Sequence, residues 1–111
     1  MTQMNMAQQK TAETPEALTL LAALTFAQPV DAEVLAALDA VMAATRQESG
    51  CVDYAAHVHA EDARRVVFYE RWQNQAAFEA HSASAHLAAF RAVVGPRLAG
   101  APELTFWKRL G

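Results

Sequence analysis

The chain has 111 residues and a formal net charge of −3, and 53% of its residues are hydrophobic. This length suits one domain with one core, and the composition is that of a globular protein rather than a disordered one. Its nine lysines and arginines are mostly scattered, so nothing indicates a nucleic-acid interface or an electrostatic membrane contact.

The first residues are polar and lack both an apolar period and the apolar core of a signal peptide. We expect residues 1–14 to be a disordered N-terminal extension and residues 15–111 to form the folded domain. No apolar run approaches the length of a membrane span. By default, the expected compartment is the cytoplasm.

The first predicted element is a strand that is apolar on both faces. Nearly every residue of 18–26 is apolar, which in a strand means that both faces are covered. The leucines and alanines would also suit a helix, so the strand prediction depends on the elements that follow. Apolar residues at helical spacing over 34–42 then predict a helix, with Asp31 as its N-cap and Gly50 as a left-handed C-terminal residue.

Two strands joined by a polar turn are expected next. They are "CVDYAAHVH" at residues 51–59 and "RVVFYERW" at residues 65–72. Alternation places Phe68, Glu70 and Trp72 on one face of the second strand. A carboxylate between two aromatic residues either forms an ion pair at the rim or is buried with a raised pKa, so Glu70 is a candidate catalytic residue.

The segment after the hairpin is predicted to be helical, with a break in its middle. In "HSASAH", Ser82 or Ser84 can cap a second helix, whose apolar stripe includes Phe90. On one continuous helix His81 and His86 would point apart, whereas a break could bring both towards one cavity. A last strand, "APELTFWKRL", ends the chain.

The element order βαββαβ predicts an α+β, ferredoxin-like fold. Two interleaved βαβ units form a four-stranded antiparallel sheet with both helices on one face. The other face is left bare, and a bare apolar sheet face needs a partner. We therefore predict a homodimer that packs sheet to sheet and forms an α+β barrel.

Two further histidines lie on the first strand of the hairpin. His57 and His59 share a face, but a metal needs a third ligand, and no spacing elsewhere completes a set, so we predict no metal site. A core His57 would be hydrogen-bonded, and a neutral imidazole in an apolar pocket can also accept a proton from a phenol or an enol. The sequence has no glycine-rich phosphate loop, so we expect no nucleotide, flavin or other bound cofactor.

A series of spaced residues runs through "GCVDYAAHVHAEDARRVVFYERWQNQAAFEAHSASAHLAAF", residues 50–90. Its members are Glu48 just before this stretch, then Gly50, Cys51, Tyr54, His57, "YERW" at 69–72, His81, Ser84, His86 and Phe90. With this series the chain resembles the antibiotic biosynthesis monooxygenase family, in particular its quinol-monooxygenase-like subgroup, over about residues 16–110. The resemblance implies a dimeric α+β barrel with a pocket between sheet and helices in each subunit.

The resemblance also implies an activity. Well-studied members of the family oxidise phenols, hydroquinones or anthrones with O₂ and without flavin, haem or metal. The implied function is a cofactor-independent monooxygenase acting on a small quinol-like or phenolic substrate. The implied catalytic residues are His57 and His86, with Glu70 orienting a histidine. The pocket residues would be Trp72, His81, Phe68 and Phe90.

Two other functions stay open for the same pocket. Relatives that isomerise small phosphorylated sugars suggest an isomerase or lyase acting on an enolisable substrate, and a ligand-binding dimer without turnover is the second alternative. Haem degradation is not expected. The first strand lacks the asparagine of haem-degrading relatives, and Arg91 lies near the position of their haem-ligating histidine.

Overall fold

The computed structural model describes residues 17–111, which form four strands and three helices. They are β1 (Leu18–Thr25), α1 (Ala32–Thr45), β2 (Cys51–His59), β3 (Asp62–Trp72), α2 (Gln75–Ser82), α3 (Ala85–Val94) and β4 (Glu103–Trp107), with a 3-10 turn at Gly95–Arg97. The predicted extension, residues 1–14, lies outside the described residues, and the domain boundary at residue 15 stays a prediction. Within residues 17–111 no helix is long and apolar enough to cross a membrane.

The four strands form one antiparallel sheet in the order β2-β3-β1-β4. Strand β1 is central, with Leu20 opposite Glu70 of β3 and opposite Phe106 of β4. A central strand has no free edge, which agrees with the nearly continuous apolar run of β1. The ferredoxin-like arrangement predicted from the element order is confirmed.

The hydrophobic core lies between one face of the sheet and the helices. The sheet contributes alternate residues of β1 and β3, and the helices contribute one stripe each, as the twofold and 3.6-fold periods require. The buried members include Leu20, Leu24, Val66, Phe68 and Trp72 of the sheet, with Val34, Leu38 and Val41 of α1 and Phe90 and Val94 of α3. Glu70 is buried on this same face, with 4% of its surface exposed.

Side-chain caps determine where the helices begin. Asp31 accepts a hydrogen bond from the Val34 backbone N–H at 3.0 Å, as predicted for the start of α1. Ser84, rather than Ser82, caps α3 by accepting from the Leu87 N–H at 3.3 Å. The predicted break between two helical segments is therefore confirmed, and it lies between α2 and α3.

Gly50 does not end the first helix in a left-handed conformation, as was expected, but has another structural role. Its backbone is not in the left-handed region, and α1 ends at Thr45 in ordinary right-handed geometry. A Cβ on Gly50 would lie 2.3 Å from the Cβ of Ala77 in α2, which is too close for two carbon atoms. The glycine thus permits a close approach between the α1–β2 loop and α2.

The second face of the sheet is not covered by any helix of residues 17–111, and we call it the open face. The strand register places His57 opposite Val67 and Leu21 opposite Tyr69 on this face. The position of His57 on the open face follows from alternation. Tyr54 is buried under the helices, and His57, three residues further along the strand, points to the opposite face. His57 is exposed.

Candidate functional site

A cavity of about 480 Å³ lies between the sheet and helices α2 and α3. This volume accommodates one small aromatic molecule. The apolar walls include Leu24, Phe68, Phe78, Leu87, Phe90 and Val94. The polar side chains in the wall are Tyr54, Glu70, His81, Ser82 and Arg91.

Glu70 is a buried carboxyl group in the wall of this cavity. Its Oε1 accepts a hydrogen bond from Trp72 Nε1 at 3.0 Å. Burial, with a smaller contribution from the charge of Glu48, raises the pKa of Glu70 to about 7, although the Trp72 hydrogen bond acts in the opposite direction. Near neutral pH Glu70 can therefore either donate or accept a proton.

Tyr54 lies beside Glu70, opposite it in the β2–β3 register. Burial, and then the negative charge of Glu70, raises the pKa of the Tyr54 hydroxyl. The hydroxyl therefore stays protonated, and it lies close to the buried side chain of Thr45 at the end of α1. Its ring centroid is 5.2 Å from those of both Phe68 and His81, so the phenol is held by aromatic neighbours.

Two histidines share one carboxylate oxygen at the edge of the cavity. Glu48 Oε2 is 2.9 Å from His81 Nδ1 and 2.6 Å from His86 Nε2. His81 comes from the last turn of α2 and His86 from the first turn of α3, so the helix break brings the rings together around the loop that carries Glu48. We call these three residues the Glu48 cluster.

The hydrogen bond to Glu48 determines the tautomer of His81. A carboxylate offers only acceptors, so Nδ1 carries the proton and Nε2 of the neutral ring is an acceptor. His81 is 2% exposed, and its ring lies 4.7 Å from that of Trp72. Burial lowers the pKa of His81, while Glu48 acts against that shift, so the neutral ring is favoured.

The three members of the cluster differ in their access to the cavity and to solvent. His81 lines the cavity, whereas Glu48 and His86 lie behind it. The His86 side chain is 28% exposed and that of Glu48 is 17% exposed. The cluster therefore connects a buried imidazole in the cavity wall with an imidazole at the surface.

The same cluster is where a metal ion would find ligands. Its three ligand atoms lie within 4.8 Å of one another, and two histidines with one carboxylate suit divalent metals. Two ligands about 2.1 Å from one ion, at a right angle or wider, lie about 3 Å or more apart. The His86 Nε2–Glu48 Oε2 distance of 2.6 Å is shorter, and it matches a charge-assisted hydrogen bond.

The structure brings together most of the residues selected from the sequence. Phe68, Glu70, His81 and Phe90 line the cavity, and Trp72 packs behind them against His81. His86 reaches the site through Glu48.

Two expectations about the site need correction. His57 is not in this cavity, because it lies on the open face of the sheet. Glu70 does not orient a histidine, since its hydrogen-bond partner is Trp72, and the carboxylate that orients His81 is Glu48.

Four polar residues at the site were not selected as site residues from the sequence, namely Glu48, Tyr54, Ser82 and Arg91. Glu48 lies in a loop and meets its histidines 33 and 38 residues later, so no local pattern reveals the contact. Tyr54 could have been found from its place in a strand that alternates towards the core. Arg91 belongs to the polar side of α3, where an arginine is ordinary.

Known proteins resemble this chain in sequence and in fold. Residues 17–93 match the family described as antibiotic biosynthesis monooxygenase. The Mycobacterium tuberculosis protein Rv0793 is 38% identical over 63 residues, which are 57% of this chain and 61% of that protein. The chain thus matches less than two thirds of the length of this relative in sequence.

The structural comparison covers more of both chains. The structure of Rv0793 superposes with a TM-score of 0.74 and 28% identity, over 86% of this chain and 96% of the other. PA3566 of Pseudomonas aeruginosa superposes with a TM-score of 0.77 and 30% identity, over 90% of this chain and 100% of the other. Because the family match spans more than half of the chain, the protein described here belongs to the antibiotic biosynthesis monooxygenase family.

Proposed function

We propose that this protein is a cofactor-independent monooxygenase that oxidises a small phenolic or quinol-like substrate with O₂ in the cavity between the sheet and helices α2 and α3. One observation carries the proposal: the buried ring of His81, with its Nδ1 held by Glu48, lies in the wall of a largely apolar cavity. Family membership supports the reaction class.

The chemistry begins with removal of a proton from the substrate. His81 Nε2 accepts the phenolic proton, and the carboxylate of Glu48 stabilises the imidazolium that forms. His86, which is bonded to the same oxygen and partly exposed, provides a route for the proton to solvent. The largely apolar walls surround the phenolate with few competing polar groups, which strengthens its electrostatic contacts.

The phenolate then supplies the electrons for oxygen reduction. One oxygen atom of O₂ enters the ring and the other leaves as water. The four electrons come from the substrate, which becomes a quinone, so no external reductant is needed. Glu70, with a pKa of about 7, can supply a proton when the O–O bond breaks.

Oxygen uptake with a panel of hydroquinones and phenols, followed by ¹⁸O₂ incorporation into the product, tests the proposal. We expect turnover by the wild type and a large loss in His81→Ala, with His59→Ala as the matched control. His59 lies at the β2–β3 turn, where its Nδ1 accepts from the Glu61 N–H. Proton exchange at a substrate carbon without oxygen, together with no oxygen uptake, would indicate an isomerase instead.

We also propose that two copies pair through their open faces. That face carries a row of apolar side chains, namely Leu21, Ala23, Val67, Tyr69 and Trp107. Trp107 is 55% exposed in the single chain, and a two-fold pairing would bury it. Light scattering should give twice the chain mass of 12.1 kDa, and Val67→Asp should halve it. A wild-type monomer at micromolar concentration would contradict this pairing.

A further inference from the structure

Arg91 is a cationic residue at the mouth of the cavity. It lies on α3, is exposed, and contributes to the cavity wall. Its Nη1 donates to the Ser82 carbonyl oxygen at 3.5 Å, the outer limit of a hydrogen bond. Most of its donors are therefore available to a ligand.

Two other arginines near the surface have carboxylate partners. Arg97 pairs with Asp31 and Glu33, and Arg64 pairs with Asp62. Within residues 17–111 no carboxylate pairs with Arg91. An unpaired guanidinium at the entrance of an apolar cavity attracts an anion, and its planar fork fits a carboxylate with two parallel hydrogen bonds.

The polar groups of the cavity lie at two depths, some buried in its wall and one exposed at its mouth, and this arrangement would orient a ligand. His81, Glu70 and Tyr54 are buried in the wall, whereas Arg91 is exposed. A ring between the apolar walls can place its hydroxyl group at His81, while an anionic substituent stays near the mouth. The exposed position of Arg91 keeps the desolvation cost of such an ion pair small.

We propose that Arg91 is a specificity-determining residue that binds a carboxylate substituent of the substrate. The substrate class is then a phenol or quinol that carries a carboxylate away from the reacting hydroxyl group. This assignment rests on the proposed function for the reacting end of the molecule. The binding preference itself does not depend on turnover.

The first test measures binding without oxygen. A hydroxybenzoate and the matching hydroxybenzamide have nearly the same shape but differ by one charge. Anaerobic calorimetry should show that the wild type binds the carboxylate about tenfold or more tightly than the amide, as a charge-assisted contact requires. Arg91→Gln should lose this preference, Arg91→Lys should keep part of it, and the control Arg64→Gln should keep it all.

Two results would overturn the inference. One is equal binding of acid and amide by the wild type, and the other is equal weakening of both in Arg91→Gln. Because no oxygen is used, a failure of the proposed oxidation would leave this binding result intact.

The second test uses turnover of a carboxylated and an uncharged hydroquinone. For the carboxylated substrate, Arg91→Gln should raise KM about tenfold and leave kcat nearly unchanged. For the uncharged substrate both constants should stay near the wild-type values. An equal fall of kcat for both substrates would mean that Arg91 acts on the reacting oxygen, and it would reject the specificity role.

Discussion

The two faces of the sheet hold histidines in opposite settings. His81, beneath the helices, is 2% exposed, bonded to Glu48 and packed against Trp72. His57, on the open face, is exposed and lies opposite Val67. A fixed tautomer and a dry surrounding make an imidazole a useful base, and only His81 has both. The position of a histidine relative to the sheet therefore matters more than its presence in the sequence.

Removing each histidine in turn tests whether His81 and His57 differ in function as they do in surroundings. His81→Ala should lower kcat/KM for a quinol-like substrate by about 100-fold or more, the usual contribution of a general base. His57→Ala should change it by less than about tenfold, provided that light scattering shows an unchanged assembly. Oxygen-uptake kinetics measure kcat/KM for both variants. The reverse order of effects would place the chemistry on the open face.

Glu70, buried on the helix-covered face of the sheet, should make the stability of the protein depend on pH. Its folded-state pKa of about 7 exceeds its ordinary value of 4.5, so the folded state binds the proton more tightly than the unfolded state. The free energy of unfolding should fall by up to about 3 kcal/mol as pH rises from 4.5 to above 7.

Glu70→Gln should remove this pH-dependent component of stability, because glutamine does not titrate. Its side-chain oxygen can still accept the hydrogen bond from Trp72 Nε1. Urea titrations at pH 5 and pH 8 should show a smaller difference between the two conditions in the variant than in the wild type. Equal differences in the two proteins would mean that the Glu70 carboxyl is not held in a dry environment.

The loop that carries Glu48 depends on a close contact at Gly50. Gly50→Ala should lower the free energy of unfolding by about 1–3 kcal/mol, because its new Cβ meets the Cβ of Ala77. Gly95→Ala is the matched control, since a Cβ there meets nothing within 4 Å. Chemical denaturation measures the free energy of unfolding of both variants. Equal stabilities would show that the α1–β2 loop can move away from α2 at little cost.

The smallest expected effect concerns metals. Prolonged dialysis against a chelator, followed by oxygen-uptake assays, should leave activity unchanged if the Glu48 cluster works through hydrogen bonds. The same assay with added Fe²⁺ or Mn²⁺ should show no gain. Activity that depends on either ion would identify the cluster as a metal centre and overturn the cofactor-independent mechanism.

The fold and one wall of the cavity could be predicted from local patterns. Alternation placed Phe68, Glu70 and Trp72 on one face, and "HSASAH" predicted the helix break that brings His81 and His86 together. These features depend on residues close in sequence, where periodicity and capping are informative.

The partners of these residues could not be predicted in the same way. The Glu48 contacts join a loop to two helices more than thirty residues away, and only the folded chain defines them. The orientation of His57 depends on which residues of β2 face the core. Alternation in "CVDYAAHVH" places Tyr54 and Val58 on the face opposite to that of His57, so this orientation, unlike the Glu48 contacts, could have been predicted from the sequence.

The proposed chemistry depends on His81 being a neutral base whose Nδ1 proton is held by Glu48. Nitrogen-15 NMR of the imidazole rings at pH 7 tests it most directly, because the two tautomers have different ring-nitrogen shifts. We expect a neutral His81 protonated at Nδ1 in the wild type, with that preference weakened in Glu48→Ala and preserved in His59→Ala. A His81 that is protonated at Nε2, or that carries a charge at this pH, would contradict it.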